Sequence, residues 1–336
     1  MIREAIQKVI EGDNLTETEM VETMNEIMEG ETTDAQIACF LTALRLKGET
    51  IEEITGAARV MRDKATKVPT KHELVVDTCS TGGTGLNSFN ISTTSAFVVA
   101  GAGVPVAKHG NRGVTRQSGS ANVLMALGVN IEIPPEHVGQ CIDEVGIGFL
   151  FAPMLHGAMK YAIGPRREIG IRTIFNALGP LTNPAGAQAQ VLGVYAKELT
   201  PVHANVLKNL GAKHAYVVHG NDGLDEITTT TTTRMSILKD GDVNTYTFDP
   251  TTLGIEKVNP TLLEGGTPEG NAEITMNILK GEKGPKRDIV LLNAAAAIVV
   301  GGKAEDIESG LKLAADSIDS GSALDKLESL KLVSNR

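Results

Sequence analysis

Apolar residues recur at helical spacing through the first 67 residues. Ile6, Val9 and Ile10 form one stripe, and Val21, Met24, Ile27 and Met28 form a second. Thr16 stands three residues before Glu19, the spacing of a capping box, and predicts a helix start there. A third helix is predicted from Thr33 to about Lys47 with Gly48 as its stop, and a fourth from Thr50 to about Ala65. Together these make a small helical bundle. The pattern changes at Val68-Pro-Thr-Lys, after which short apolar runs alternate with helical stretches. Strands are predicted at LVVDTC (74–79), VPVAKHG (104–110), VNIEIP (129–134), FLFAP (149–153), AQVLGVYA (189–196), HAYVVHG (214–220), MSILKD (235–240) and VNTYTFD (243–249). Helices are predicted at 93–103, 118–127, 135–145, 154–162, 200–210, 270–280, 287–300 and 304–318. Such alternation predicts an α/β fold with a mostly parallel central sheet flanked by helices, beside a small all-α domain. The threonine tract Thr228–Thr233 reads as an extended β segment.

Composition narrows the class. The 336 residues suit two domains or one large one, and 41% of them are apolar, enough for a full core. No apolar run reaches membrane-spanning length, and the charged, helical N-terminus MIREAIQKVIEGDN carries no secretory h-region. Cys39, Cys79 and Cys141 are scattered and odd in number, which suits a reduced, cytoplasmic setting without zinc spacing. A net charge of −10, scarce aromatics and no Trp argue against a nucleic-acid binder.

Four segments carry candidate chemistry. The first is STGGTGLNSFNIST, Ser80 to Thr93, between a strand and a helix. A glycine-rich turn brings backbone N–H groups close to a ligand, and the following helix offers its positive end. Asn90, Ser92 and Thr93 add neutral donors, so the loop suits a phosphate or pyrophosphate. It lacks both the Walker A and the dinucleotide spacing. Its bland alternative is a tight turn with a Ser/Thr cap. The second is VAKHGNRGVTRQSGSANVL, 106–124, with Lys108, His109, Asn111, Arg112 and Arg116 at a strand end, where ligands of open α/β sheets collect. The third is VVHGNDGLDEI, 217–227. Its Asp225-Glu226 pair suits magnesium beside a phosphate site, although a lone acidic pair is more often surface charge. The fourth is YAIGPRREIGIRTIFNALGPLTNPAGA, 161–187, with Arg166, Arg167 and Arg172 and a proline-rich slot that fits a small aromatic acid. Solvated arginines and a proline-rich connection are the alternative there.

In this order, and with VAKHGNR, FLFAPMLHGAMK, GIRTIFNALGPLTNPAG and VVHG…DE as the specific pieces, the chain resembles the anthranilate phosphoribosyltransferase family. The resemblance covers nearly the whole chain. It implies a small helical domain, 1–70 joined by helices from about 155–185, and an α/β donor-binding domain, 71–336. It implies transfer of the phosphoribosyl group of phosphoribosyl pyrophosphate (PRPP) to the amino group of anthranilate, with Mg2+. Carried over residue by residue, Ser80, Thr81, Gly82, Gly83 and Thr84 embrace PRPP; Asn90, Ser92 and Thr93 hold its pyrophosphate; and Lys108 binds its phosphates, with Arg116 beside them. Ser92, Asp225 and Glu226 hold metal. His109, Asn111, Arg166 and Pro180 line the anthranilate path, with Arg166 on the carboxylate. No residue is expected to act as a strong general base. A homodimer, association with an anthranilate synthase and a stand-alone transferase are further expectations; nucleic acid and membrane are not expected partners. The competing readings are a paralogue using another aromatic acceptor, a nucleoside phosphorylase-like enzyme, and a nucleic-acid-binding relative.

The chain departs from the family pattern in places. The glycine motif, usually Gly-Thr-Gly-Gly-Asp-Gly, has Ser80 for the first glycine and Thr84 for the acid. Thr115-Arg116 replaces two small residues, and Asn122 stands where Asp is frequent. Restoring the acid is therefore informative: Thr84→Asp is expected to change PRPP affinity and magnesium dependence in steady-state kinetics. Unchanged values of both would refute this account of Thr84.

Overall fold

The computed structural model describes residues 1–82, 86–113 and 118–336. Four helices open the chain: α1 (Ile2–Ile10), α2 (Glu17–Glu29), α3 (Asp34–Lys47) and α4 (Ile51–Lys64). The last three begin on one device. Thr16, Thr33 and Thr50 each accept the N–H three residues on, and Glu19, Gln36 and Glu53 return a bond to the cap's own N–H. Gly30 and Gly48 end α2 and α3 at φ 78° and 90°, where a Cβ is unfavourable.

The sheet strands are β1 (Val76–Ser80), β2 (Val106–Gly110), β3 (Ile147–Phe151), β4 (Ala189–Gly193), β5 (His214–Gly220), β6 (Thr233–Lys239) and β7 (Asp242–Phe248). Between them run α5 (Ile91–Gly101), α6 (Ser120–Ala126), α7 (Pro135–Val145), α8 (Ala152–Leu155), α9 (Lys160–Ile169), α10 (Ile174–Leu178) and α11 (Leu199–Asn209). After β7 come α12 (Pro268–Leu279), α13 (Pro285–Val300), α14 (Ile307–Asp319) and α15 (Ser322–Ser334). Strand order is β3-β2-β1-β4-β5-β6-β7; β1 to β5 are parallel, and β6 and β7 are antiparallel additions. The chain runs outward from β1 to β3 and then returns to the other side of β1. Its direction of winding therefore reverses between β1 and β4, the position that opens a crevice at the carboxyl ends of the strands.

Alternation along the strands divides the core. Ala189, Val191, Tyr216, Val218 and Met235 face one cluster with α5 and α13. Leu192, Val194, Ala215, Val217 and Leu238 face a second cluster with α11. That second cluster is continuous with the bundle core of Met20, Met24, Phe40, Leu41 and Leu44, and Ala162, Ile174, Phe175, Leu178 and Leu181 join it from the β3–β4 connection.

Several sequence expectations are corrected. VNIEIP (129–134) is not a strand: Val129, Ile131 and Ile133 are buried by packing an extended link onto the core, with no strand partner among the described residues. Alternation reported burial, not pairing. In the threonine tract only Thr233 enters a strand. Thr228 and Thr230 instead donate their hydroxyls to the Asp222 carboxylate, which favours a loop over a ladder. The predicted helix 154–162 is split at His156 into α8, a 3-10 turn and α9. Helix α15 was not predicted, and α10 was foreseen only as part of a helical stretch over about 155–185.

A buried ion pair ties the bundle together. Glu53 is fully buried; Lys47 Nζ lies 3.0 Å from its Oε2, while Leu15 N and Thr50 N donate to it at 2.9 and 2.8 Å. Glu53→Ala is expected to cost roughly 3–5 kcal/mol in urea unfolding followed by circular dichroism, because Lys47 loses its counter-charge, keeping only Asn14 Oδ1 and the Gly48 carbonyl, and Leu15 N and Thr50 N lose their acceptor. A loss under about 1 kcal/mol would mean that solvent reaches the pair.

Candidate active site

The exits of β1 and β4 are stitched together. Thr81 N donates to the Gly193 carbonyl at 2.9 Å, and Thr81 Oγ1 accepts Tyr195 N at 3.0 Å. Gly82 follows at φ 64°. Ser80 remains strand backbone outside the left-handed region, so its side chain adds no such strain. A Cβ on Gly193 would lie 1.7 Å from the Asp225 carbonyl, so only glycine lets the Asp225-Glu226 segment cross the end of β4. Both acids are buried. Their segment is held from below: Ile227 N donates to Asn293 Oδ1, and Asn293 Nδ2 returns to the Ile227 carbonyl, both at 2.9 Å.

Lys108 on β2 points into this crevice and is 3% exposed. Its Nζ donates to the Thr78 carbonyl and lies 3.4 Å from Ser92 Oγ, in the first turn of α5. Burial pulls the ammonium below its ordinary pKa, and Asp77, Cys79 and Glu226 pull back. Asn90 precedes α5 but does not cap it; its Oδ1 accepts Asn271 Nδ2 at 2.8 Å and Ser118 Oγ at 3.2 Å. Thr93 is buried in the same turn. The cluster therefore combines one desolvated cation, hydroxyl groups and two carboxylates.

The next residue of β2 faces the other way. His109 Nε2 lies 3.1 Å from His156 Nε2. Burial, then the His156 ring, pushes His109 down to about 3, against a hydrogen bond to the Gly179 backbone. Burial pushes His156 down to about 4. One neutral ring thus donates and the other accepts. Pro180 is buried, and its carbonyl accepts Gln190 Nε2 at 2.6 Å. Asn111 is exposed, and its carbonyl accepts Ala121 N at 3.2 Å. Arg166 stands with its guanidinium 4.8 Å over the Phe175 ring and makes no ion pair among the described residues.

Thr81, Gly82, Ser92, Lys108, Asp225 and Glu226 thus gather around one crevice, with Asn90 and Thr93 in the first turn of the adjoining helix. His109 and Pro180 form a neighbouring wall, and Arg166 occupies a separate part of the β3–β4 connection. Gly83, Thr84 and Arg116 lie outside the described residues. Asn122 Oδ1 accepts Gly113 N and Gly119 N at 2.9 and 3.1 Å, so a neutral amide serves where the family often has an acid. Sequence reasoning missed His156, Asn183 and Asp77, although the first two lie in quoted motifs and Asp77 is the one acid in an apolar strand. Burial pushes Asp77 up to about 6, against the pull of Lys108 and its hydrogen bonds.

The oxygen donors suit magnesium. Among the described residues no group of three His, Cys, Asp or Glu forms a complete cage. Two carboxylates and a hydroxyl match a hard cation that takes its remaining ligands from water and substrate oxygens.

Residues 72–324 match the glycosyl transferase family a/b domain, and residues 3–65 match that family's helical bundle domain. The anthranilate phosphoribosyltransferase of Geotalea uraniireducens is 56% identical, with 100% of each chain covered. The chain belongs to the anthranilate phosphoribosyltransferase family. Among solved structures, the anthranilate phosphoribosyltransferase of Thermus thermophilus matches at TM-score 0.94 and 42% identity, covering 99% of both chains. The Saccharomyces cerevisiae enzyme in complex with PRPP and Mg matches at TM-score 0.90 and 27% identity, covering 99% of this chain and 98% of that one.

The depressed histidine pKa values fix a sign. Both rings are expected to stay neutral above about pH 5 in nitrogen-15 NMR, charging only as pH falls toward their midpoints. A midpoint near 6.5 for either ring would show that it is hydrated.

Proposed function

We propose that the chain transfers the phosphoribosyl group of PRPP to the amino group of anthranilate, releasing pyrophosphate and N-(5-phosphoribosyl)anthranilate for tryptophan biosynthesis. Family membership over the full length supports this reading. The observation that carries it is the two-sided strand β2: Lys108 enters a cationic, hydroxyl-lined crevice, and His109 enters a wall of neutral imidazole and proline.

Thr81 and Gly82, with Ser80, Gly83 and Thr84, surround the donor; Asn90, Ser92 and Thr93 bind its pyrophosphate, and Lys108 and Arg116 meet its phosphates. Ser92, Asp225 and Glu226 hold Mg2+, which neutralises charge on the leaving group when bound. The C1–O bond to pyrophosphate breaks, the C1–N bond forms, and the nitrogen then loses a proton to solvent. Positive charge develops on the ribose as negative charge leaves, so fixed donors at the crevice stabilise the transition state more than the ground state. An aromatic amine is already nucleophilic, and alignment supplies much of the rate. Arg166 pairs with the anthranilate carboxylate, while His109, Asn111 and Pro180 guide the ring. The two neutral histidines add no positive charge of their own beside the ribose.

The same reading includes a division into a helical domain (1–70, with 155–185) and a donor-binding domain (71–336), and a cytoplasmic setting. It also includes a homodimer through the helical domain, supported by exposed Ile10, Leu46 and Ile163, and association with an anthranilate synthase. No helix among the described residues is long and apolar enough to cross a membrane.

Anthranilate fluorescence tests the reaction. It is expected to fall on mixing with the protein only when PRPP and Mg2+ are both present. A steady signal at high enzyme and millimolar metal would move the assignment to another acceptor or donor.

A further inference from the structure

Among the described residues, β1 pairs with β2 at Val76 and Val106 alone. Its other neighbour, β4, pairs over the whole of β1, and β3 over the whole of β2. Val76 N donates to the Pro105 carbonyl at 2.9 Å, which sets the parallel register. The following rungs of that ladder would join Thr78 N to the Ala107 carbonyl and His109 N to the Thr78 carbonyl. Side chains meet three of the four backbone groups of those rungs. Asn183 Nδ2 donates to the Ala107 carbonyl at 2.8 Å. Asp77 Oδ1 accepts His109 N at 3.1 Å. The Lys108 ammonium donates to the Thr78 carbonyl. Asn183 Nδ2 also donates to Asp77 Oδ2 at 2.8 Å, which joins the two side chains.

The two strands are thus held apart at the end where ligands collect, and the wedge is charged and fully buried. Asp77 is 0% exposed and Asn183 is 5% exposed. A wedge of this kind is costly unless every polar atom finds a partner, and here its partners are backbone atoms of Ala107 and His109. Those atoms flank Lys108. Successive residues of a strand face opposite ways, so fixing the β2 backbone at 107 and 109 aims Lys108 at the Ser92 side and His109 at the His156 side together.

We propose that Asp77, oriented by Asn183, is a positioning residue that sets the donor and acceptor sides of the site relative to each other. This rests on the functional reading above, since it assigns the two sides to PRPP and anthranilate. Asp77→Asn keeps the shape but removes the charge. Whichever way the new amide is turned, one of its N–H groups faces either the His109 N–H or the Asn183 amide, so one of the two bonds is lost.

The test is steady-state kinetics of wild type, Asp77→Asn, His109→Ala and the double variant, with both substrates varied. Wild-type turnover is measured first; its absence would overturn the functional reading and this inference with it. With wild type active, Asp77→Asn is expected to raise KM for both substrates and to lower kcat/KM for each by about 100-fold, the cost of a misplacement near 1 Å. His109→Ala is expected to raise KM for anthranilate alone. In the double variant the anthranilate effects are expected to be far from additive, since one residue acts through the other. KM values within about two-fold of wild type for both substrates, or strict additivity, would make Asp77 a scaffold residue and overturn the proposal. Should Asp77→Asn fail to fold, Asn183→Ala carries the same test: the same two-substrate KM change supports the proposal, and wild-type KM values in soluble protein overturn it.

Discussion

A parallel strand pair that opens at its carboxyl end leaves backbone donors and acceptors inside the protein, and each needs a partner. That requirement organises this molecule. It places an aspartate and an asparagine in the interior between β1 and β2. It fixes a buried ammonium on the Thr78 carbonyl. A crevice at the reversal between β1 and β4 also needs Gly193, because the Asp225 backbone crosses within reach of any side chain there. The polar residues of the site are therefore the means by which the sheet tolerates an opening, and the opening is where a ligand can approach backbone groups.

Much of this was legible in the sequence, and what was not follows a rule. Lys108 and His109 were visible because charge at a strand end has few structural uses. The glycine loop and the Asp-Glu pair were visible by their company. The helix starts at Thr16, Thr33 and Thr50 were visible because capping is local chemistry. Asp77 was not singled out, although it interrupts an apolar run, because its role depends on the register of two strands separated by a helix. His156 and Asn183 were hidden for a related reason: their partners lie 47 and 106 residues away in sequence. The 129–134 segment was misread because an extended link on a core alternates as a strand does, and only a neighbour distinguishes them. The threonine tract was misread because β-branched residues favour strands while their hydroxyls favour a nearby carboxylate, and Asp222 supplied one.

Charge is partitioned across β2. The Ser92 side holds a cation and two acids, whereas the His156 side holds imidazoles that burial keeps neutral. The chain as a whole is acidic, with a net charge of −10, so an anion is drawn to a local arrangement and not to the surface at large. An excess of acid over the surface also disfavours diffuse binding of polyanions.

The β3–β4 connection links the bundle to this chemistry. It carries His156, Arg166, Pro180 and Asn183, and it also gives Ala162, Ile174 and Leu178 to the bundle core. The His156 side is thus packed on the helical bundle, while Ser92 and Lys108 belong to the sheet and α5. The same connection reaches β2 through Asn183, which bonds the Ala107 carbonyl and Asp77 beside Lys108, and it reaches β4 through Pro180, whose carbonyl accepts Gln190 Nε2. Asn183 and Asp77 are buried and doubly bonded, which makes the wedge a well-tied polar link between the parts. One side of the site is thus packed on the bundle and the other on the sheet, and buried polar bonds tie the two together.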